Sequence, residues 1–381
     1  MTTPGLDLRT LGWNDSLAAE LPAGTVPARV ARIDRGNAEV IAADGHRRVR
    51  FGARVRRAAA DDPVALPCVG DWAALAPLPG GDVHGVDLQL QEVLPRRTAI
   101  VRGGVARDSR GGLSGDSKGQ VLAANVDVVF VAEPARHGAD RADLGRVERL
   151  LALAWESGGT PVVLITKSDL AGDDLPALLT DFALAAPGVD VHPVFALARE
   201  GVDGEGVDGE GVDIVRGYLD GFRTAVVLGP SGAGKSTLVN ALAGETVMPT
   251  QQVRAGDGRG RHTTVHRELI TLPGGGLIID TPGIRRVGLY EMGEGVDLVF
   301  TDIDELAEQC RFSDCSHESE PGCAVLAAVD AGDLPERRLA SWRKLQREAA
   351  WMASRTDARL RSEQTRRWKV IEKAMRGRYR P

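Results

Sequence analysis

The stretch GPSGAGKST at Gly229–Thr237 constrains the fold of this chain more than any other feature. A glycine, four residues and then Gly-Lys-Ser is the spacing of a Walker A phosphate loop. An apolar run, Ala225–Leu228, precedes the loop, and apolar residues at helical spacing follow it. Backbone N–H groups and the helix N-terminus bind phosphate together, so such a loop joins a strand to a helix. The sequence therefore predicts an α/β domain of the P-loop class.

Two side chains of this loop have expected roles in binding a nucleoside triphosphate. Lys235 is expected to reach the β- and γ-phosphates, and the Ser236 hydroxyl is expected to ligate Mg²⁺. A chance match, or a P-loop protein of another kind such as an ATPase or kinase, is the alternative. The residues expected to contact nucleotide are Gly229, Pro230, Ser231, Gly232, Ala233, Gly234, Lys235, Ser236 and Thr237.

A second motif, Asp-Thr-Pro-Gly, follows a short apolar strand downstream of the phosphate loop. Its Asp280 suits the Mg²⁺ side of a nucleotide site, and the N–H of Gly283 suits the γ-phosphate. Between the two motifs, 258–264 (GRGRHTT) is a flexible stretch with hydroxyl groups, of the kind that orders over phosphate and metal. Either Thr263 or Thr264 is expected to reach Mg²⁺.

Two further motifs lie upstream of the phosphate loop. TKSD ends the apolar strand PVVLIT and resembles the guanine-reading NKxD motif of GTPases. VFALA, which contains Ala196, occupies the place of a loop that backs the guanine base. The residues expected to contact the base are Thr166, Lys167, Ser168, Asp169 and Ala196.

The order of these motifs is unusual, because ordinary GTPases carry the guanine motif after the phosphate loop. The order found here resembles the circularly permuted GTPases, in particular the RsgA (YjeQ) family of small-ribosomal-subunit assembly GTPases. VGDWAAL and LPRRTAIVR are similar to that family's N-terminal barrel and its junction with the GTPase. The resemblance covers the chain from about Arg29 to its C-terminus and is specific, because the motifs occur jointly in this order.

The resemblance implies that GTP is the nucleotide. Asp169 would accept hydrogen bonds from the guanine N1 and exocyclic amine, which adenine cannot both supply, and Lys167 would lie along the base plane. Thr166 replaces the usual Asn, whose side chain ties the guanine loop to the phosphate loop. A threonine can still make one such bond, so we expect GTP specificity to be retained.

Catalysis needs a group other than the glutamine of Ras-like GTPases, because Ile284 follows the DTPG motif here. An isoleucine cannot orient water. His262 is the candidate that the resemblance supports, and a solvated loop histidine is the alternative. The expected catalytic set is His262, Lys235, Thr263 and Thr264.

CRFSDCSHESEPGC resembles the family's zinc signature. Three cysteines and a histidine match the Cys₃His ligand set of tetrahedral structural zinc. Three of the four cysteines lie in this segment, and the fourth, Cys68, lies far from it in the sequence. This distribution indicates a metal site and argues against a disulfide framework. The expected ligands of one Zn²⁺ are Cys310, Cys315, His317 and Cys323.

The predicted architecture is mixed α/β with an OB-like β-barrel, a circularly permuted P-loop GTPase domain and a zinc-binding helical domain. The expected segments are a flexible extension at 1–25, the OB-fold at 26–96, the GTPase at 97–292 and the zinc domain with a basic tail at 293–381. Short strands with turn signals such as Asp44-Gly45 indicate the barrel. Such a barrel commonly binds nucleic acid, and a packing role without RNA contact is the alternative.

Two glycine-rich segments are expected to lack regular structure. Gly103–Gly119 is typical of a mobile loop. Gly201–Asp213 repeats the pentapeptide GVDGE and has the composition of a disordered acidic tether, whose expansion needs no function.

Charge is distributed unevenly along the chain. From Arg337 to the C-terminus there are 15 Lys and Arg against 4 Asp and Glu, a balance of +11, so the rest carries −17 within the net −6. A basic tail on an acidic body indicates a polyanionic partner such as RNA.

An apolar signal core and a membrane-spanning run are both lacking, which predicts a cytoplasmic protein without membrane partners. We expect a monomer.

The predicted function, implied by the resemblance, is a GTPase in late maturation of the small ribosomal subunit. It would hydrolyse GTP to GDP and phosphate with Mg²⁺, stimulated by the subunit and contacting its rRNA. An RNA-binding switch with negligible turnover is the alternative.

Overall fold

The computed structural model describes residues 5–34, 36–81, 86–107, 113–136, 142–196, 199–200, 206–207, 209–248, 267–280 and 294–356. Packing divides the chain into two units. The first contains residues 1–101 and 120–285, and the second contains 102–119 and 286–381.

The N-terminal segment is ordered from residue 5, so the expected flexible extension at 1–25 is corrected for its described part. Leu8–Leu11 forms a 3-10 turn and Asp15–Ala19 forms helix α1. Leu11 is only 2% exposed, and the Trp13 ring lies edge-on to Trp72 with 4.8 Å between centroids. Apolar burial against the following barrel orders a segment whose composition alone gives no such signal.

Five strands then form a closed barrel with an apolar interior. β1 pairs with β2 and β4, β2 with β3, β3 with β5 and β5 with β4, which closes the ring. The ring confirms the predicted OB-like barrel. The strands are β1 (Val26–Asp34), β2 (Asn37–Ala42), β3 (Gly45–Phe51), β4 (Trp72–Pro77) and β5 (Leu88–Val93).

Two details of the barrel bear on the sequence predictions. Ala42 pairs with Gly45, so the predicted Asp44-Gly45 hairpin is present. The sequence also predicts a strand over HRRVRFGARV, and the structure ends this strand at Phe51. Gly52 still donates its N–H to the Leu90 carbonyl of β5, 2.8 Å away, and caps helix α2 (Ala53–Asp61), which follows it. Pro63–Ala65 is a further 3-10 turn.

The glycine-rich segment at Gly103–Gly119 contains paired strands, which corrects the expectation of a mobile loop for its described residues. Strand β6 (Ala99–Arg107) pairs with strand β7 (Leu113–Ala124) in a two-stranded sheet. Backbone pairing outweighs the low strand propensity of glycine and serine here.

The P-loop part of the first unit is a parallel sheet, as predicted. Its order is β10, β9, β8, β13, β15, all parallel, and β14 pairs antiparallel with β15. The run Leu269–Leu272 and the following PGGG turn predict this hairpin at the edge of the sheet; the hairpin is present, but β14 also pairs with β1 and is not an edge strand. The strands of this sheet are β8 (Val128–Pro134), β9 (Thr160–Thr166), β10 (Asp190–Val194), β13 (Thr224–Leu228), β14 (Glu268–Thr271) and β15 (Leu277–Asp280). Two short strands, β11 (Arg199–Glu200) and β12 (Gly206–Val207), pair with each other in a separate antiparallel sheet.

Helices cover this sheet, and the core lies between the two layers. Continuous apolar strands are typical of parallel sheets that are buried on both faces. Val128, Phe130 and Leu164 pack in one cluster with Leu238 and Val239. The helices are α3 (Leu144–Glu156), α4 (Leu175–Ala185), α5 (Val212–Gly217) and α6 (Lys235–Ala243), with a 3-10 segment at Ser168–Asp174.

A buried arginine joins the barrel to the parallel sheet. Arg29 of β1 donates to the carbonyls of Leu11 (3.0 Å) and Asn125 (3.1 Å) and to the Thr224 hydroxyl (3.3 Å). Its guanidinium lies 5.2 Å from the centroid of the Trp72 ring. Burial lowers the pKa of Arg29 to about 10, still far above neutrality, so the contact is made by a cation. In addition, β1 pairs with β14, so the barrel and the P-loop part share one sheet.

The C-terminal unit is helical in its described residues from 294 onward. Arg338 of α10 is buried and donates to Asp302 (2.5 and 2.7 Å) and to the Val299 carbonyl (2.8 Å). In the chain that the structure describes, no helix has the length and apolarity needed to cross a bilayer. The helices are α7 (Glu294–Val299), α8 (Thr301–Ala307), α9 (Ala324–Ala331) and α10 (Glu336–Thr356).

Candidate functional site

The nucleotide motifs of the sequence converge at one edge of the parallel sheet. The guanine motif follows β9, the base-backing loop follows β10, the phosphate loop follows β13, and Asp280 ends β15. These strands are parallel, so their carboxyl ends meet at the same edge, where α/β folds bind ligands. The structure therefore brings together motifs that are more than a hundred residues apart along the chain.

The phosphate loop crosses close to the neighbouring strand β8. A Cβ atom on Gly229 would lie 2.3 Å from the Ala132 carbonyl oxygen, so only glycine fits without a backbone shift. Gly234 caps helix α6, which begins at Lys235. The loop thus has the strand-loop-helix geometry that its sequence predicts, with a helix N-terminus directed at the site.

Lys235 lies inside the curve of the loop. Its ammonium donates to the carbonyls of Gly229 (3.0 Å) and Pro230 (2.8 Å), and the side chain is buried. Burial lowers its pKa, and the nearby Asp280 opposes that shift. A desolvated cation in this position suits a polyphosphate.

Asp280 and Ser236 supply oxygen donors of the kind that Mg²⁺ takes. Asp280 is buried; desolvation raises its pKa, and Lys235 acts in the opposite direction. Ser236 stands in the first turn of α6. A carboxylate and a hydroxyl beside a phosphate site fit the oxygen-only coordination of Mg²⁺, and these two residues would hold the ion.

A buried hydrogen bond ties the guanine motif to the phosphate loop. The Thr166 hydroxyl donates to the Ala233 carbonyl over 2.7 Å. After it, Lys167 adopts a left-handed backbone (φ 53°), and Ser168 begins the 3-10 segment. The Asp169 side chain is exposed, so its carboxylate is accessible to a base. The sequence predicted that a threonine here retains one bond to the phosphate loop, and the structure contains that bond.

The base-backing loop starts beside the guanine motif. Val194 ends β10 opposite Thr166 in the parallel ladder, and Phe195 and Ala196 follow. The Phe195 N–H donates to the Glu210 carbonyl over 2.9 Å. Glu210 belongs to the GVDGE repeat. The expected disordered tether is therefore corrected where the structure describes the repeat, at 206–207 and 209–213.

One charged group at this edge is missed by the sequence analysis. Glu133, near the end of β8, is fully buried and accepts from Arg146 Nε (2.9 Å) and Nη2 (2.7 Å). The Asp143 N–H also donates to it, over 3.1 Å. The signal was present as the one carboxylate in the apolar run VVFVAEP. This ion pair ties the end of β8 to the first turn of α3.

Several predicted residues lie outside the described part of the chain. They are His262, Thr263, Thr264, Gly283 and Ile284.

The four expected zinc ligands cluster in the C-terminal unit. Cys310 Sγ lies 3.6 Å from His317 Nδ1 and 3.9 Å from Cys323 Sγ, and His317 Nδ1 lies 3.4 Å from Cys323 Sγ. Cys315 completes a set whose ligand atoms are all within 4.8 Å of one another. Tetrahedral zinc with Zn–S bonds of about 2.3 Å places sulfur atoms ~3.8 Å apart. The residues therefore fit a Cys₃His zinc site.

Helix α10 supports this cluster. Arg343 donates to the His317 carbonyl, and the Trp342 ring lies 5.5 Å from the His317 ring between centroids. All four cysteines of the chain are described and carry free thiols. Partners that orient a ligating histidine are typical of a metal centre.

Comparison with known proteins identifies the chain. A sequence model of the family described as RsgA GTPase matches residues 93–290. The small ribosomal subunit biogenesis GTPase RsgA of Streptomyces coelicolor is 49% identical over 95% of this chain and 92% of its own length. The chain belongs to the RsgA GTPase family. The resemblance given by the motif order is confirmed.

Other members and two solved structures agree. The RsgA of Streptomyces avermitilis is 48% identical over 94% of this chain and 90% of its own length. YjeQ from Thermotoga maritima aligns with a TM-score of 0.57 at 21% identity, over 85% of this chain and 98% of that one. YloQ, described as a circularly permuted GTPase, aligns with a TM-score of 0.53 at 23% identity, over 86% and 96%. These structural likenesses confirm the predicted fold class.

Proposed function

We propose that this protein is a GTPase that acts in biogenesis of the small ribosomal subunit, hydrolysing GTP to GDP and phosphate with stimulation by the subunit. The observation that supports this most directly is the hydrogen bond between Thr166 and Ala233, which joins a guanine-type motif to a phosphate loop. The RsgA of Streptomyces coelicolor, named for this role, aligns over nearly the whole chain.

The proposed nucleotide site divides its work among four strand ends. The phosphate loop and Lys235 bind the phosphates of GTP or GDP. Ser236 and Asp280 hold Mg²⁺. Asp169 and Lys167 read the guanine, and Ala196 backs it.

The groups that act in catalysis are proposed to come from the segments 262–264 and 280–283. Gly283 faces the γ-phosphate, one of Thr263 and Thr264 reaches Mg²⁺, and His262 orients the attacking water. Ile284 cannot do this, since its side chain neither donates nor accepts a hydrogen bond.

The zinc that we propose is structural and one per chain. Its ligands are supplied by the loop between α8 and α9, and Cys323 also caps α9 by accepting from the Leu326 N–H. Tetrahedral Cys₃His sites stabilise small domains and leave no coordination position for substrate. The ion would fix the loop against α10.

The proposed partner is the small subunit through its rRNA. The barrel is of a kind that binds nucleic acid, and the sequence from Arg337 onward carries the basic excess. This role implies action in the cytoplasm, as a monomer. We propose domains at 26–96, 97–292 and 293–381.

The deciding experiment is steady-state GTP hydrolysis by the full chain, alone and with purified small or large subunits. We expect slow hydrolysis alone, strong stimulation by small subunits and little by large ones. Lys235→Ala serves as the inactive control. Stimulation by neither subunit, with GTP still bound, would instead support an RNA-binding switch. Equal competition by ATP would contradict guanine specificity.

A further inference from the structure

The backbone of the GVDGE repeat lies directly against the base-backing loop. A Cβ atom on Gly209 would lie 1.9 Å from the Phe195 carbonyl oxygen and 2.9 Å from the Ala196 Cα. Side chains do not reach such distances, so any residue other than glycine at this position displaces the loop or the repeat. The constraint at Gly209 is the close approach alone.

A second glycine two residues later is constrained in two ways. Gly211 has φ 81°, in the left-handed region that favours glycine, and caps helix α5. Its Cβ would lie 2.5 Å from the Pro193 carbonyl oxygen. Between the two glycines, the Glu210 carbonyl accepts the Phe195 N–H over 2.9 Å. Three successive residues therefore hold the backbone of residues 193–196.

We infer that Gly209, Glu210 and Gly211 are positioning residues for the base-backing loop and thereby set the affinity for guanine nucleotides. This inference rests on the proposed function, which assigns Ala196 to the base. The three residues act through Phe195 and Ala196. They hold this loop where it leaves the end of β10, which pairs with β9 and so lies beside the guanine motif.

The close contacts with the base-backing loop are thus made by residues 209–211 of the repeat. Its copies are identical in sequence, so removing one GVDGE unit still leaves Gly-Glu-Gly immediately before Val212. Removing one unit takes away the residues that join β11 to β12, but it keeps the Gly-Glu-Gly that contacts the base-backing loop. Guanine-nucleotide affinity should therefore be retained in the deletion, whereas one methyl group at position 209 should lower it. A tether without function predicts neutrality for both changes.

The test compares four forms of the full-length protein. Gly209→Ala and Gly211→Ala each add one methyl group at a crowded position. Gly217→Ala is the matched control, because its Cβ meets nothing within 4 Å at the end of the same helix. Deletion of one GVDGE unit is the second control. The measurements are kcat and KM for GTP, and inhibition by GDP and by inorganic tripolyphosphate, which has no base.

We expect Gly209→Ala and Gly211→Ala to raise KM and the inhibition constant of GDP by about tenfold or more, with kcat at saturating GTP unchanged, because uniform binding is lost. The inhibition constant of tripolyphosphate should stay at the wild-type value, since the phosphate loop is untouched. Both controls should behave as wild type.

Three results would overturn the inference. One is a wild-type KM in both crowded variants. Another is a parallel loss of GDP and tripolyphosphate binding, which would indicate general unfolding. If neither variant folds, hydrogen exchange on the unmodified protein decides the question. GDP should slow amide exchange in 194–196 and 209–211 together, and independent behaviour of the two segments contradicts the proposal. Failure of the wild type to bind GTP would refute the proposed function itself.

Discussion

The Thr166 hydroxyl donates a hydrogen bond of 2.7 Å to the carbonyl oxygen of Ala233, and the contact is buried. Thr166 ends β9 and Ala233 lies in the loop after β13, with β8 between them in the sheet. The bond therefore spans two strand positions and couples the base-reading loop to the phosphate-binding loop. Nucleotide retention should depend on it.

Thr166→Val should accelerate GDP release. Valine keeps the shape but leaves a buried carbonyl without its donor, which costs about 1 to 2 kcal/mol, or roughly five- to thirtyfold in affinity. Release of a fluorescent GDP analogue measures the effect. Thr160→Val, at the exposed start of the same strand, is the matched control. If GDP leaves both variants at the same rate, the hydrogen bond of Thr166 does not contribute to nucleotide retention.

Asp169→Asn should weaken GTP binding and shift preference toward xanthosine nucleotides. The amide replaces one acceptor by a donor, which suits the exocyclic oxygen of xanthine. Competition between GTP and XTP for the bound fluorescent nucleotide measures the change. Asp173→Asn, exposed in the same 3-10 segment, should leave the preference unaltered. A variant that still prefers GTP as strongly as wild type would contradict the assignment of Asp169.

Cys315→Ser should lower zinc content below one ion per chain and reduce the melting temperature. Loss of a thiolate ligand weakens a site whose binding energy is also folding energy. Elemental analysis of protein purified without chelators gives the zinc content. Cys68→Ser removes a buried thiol in the first unit and should leave one zinc bound. Wild-type protein that lacks zinc after such purification would refute the site.

Much of the fold could be predicted because its signals are local. Apolar runs such as Ala225–Leu228 indicate buried strands, and a Walker A spacing predicts a strand, a loop and a helix in succession. The hydrogen bond of Thr166 could also be predicted, because the guanine motif implies a partner in the phosphate loop.

What the sequence did not reveal depends on contacts between distant residues. Arg29 and Thr224 lie 195 positions apart, and their contact joins the barrel to the parallel sheet. The same guanidinium binds the Leu11 carbonyl, in a segment that was expected to be flexible. Gly209 looks like any glycine of a repeat until its distance to Phe195 is known. The burial of the Glu133 carboxylate is explained only by its ion pair with Arg146, which belongs to a different element. Pairing across space decides these cases.

Asp304→Asn should stabilise the C-terminal unit above pH 6 and not below pH 4. Burial and the nearby carboxylates of Asp297 and Asp302 raise the pKa of Asp304 to about 6. Its unfolded value is about 3.9, so the native state holds more protons between these values and wild-type stability falls as pH rises through 6. Melting temperatures from pH 4 to 8 measure the difference. Asp330→Asn, exposed at the end of α9, is the control, and a pH-independent gain in Asp304→Asn would contradict the argument.

His262→Ala should remove most of the small-subunit stimulation while leaving GTP affinity nearly unchanged. With Ile284 after the DTPG motif, catalysis needs another group to orient water, and positioning of this kind acts in the transition state. The loss should therefore appear in kcat at saturating GTP. Lys235→Ala should impair binding and turnover together, because the proposed contact of its ammonium with the phosphates is made in both states. If His262→Ala matches the wild type in stimulated kcat, the water-orienting group belongs to the ribosome or to another residue of this chain.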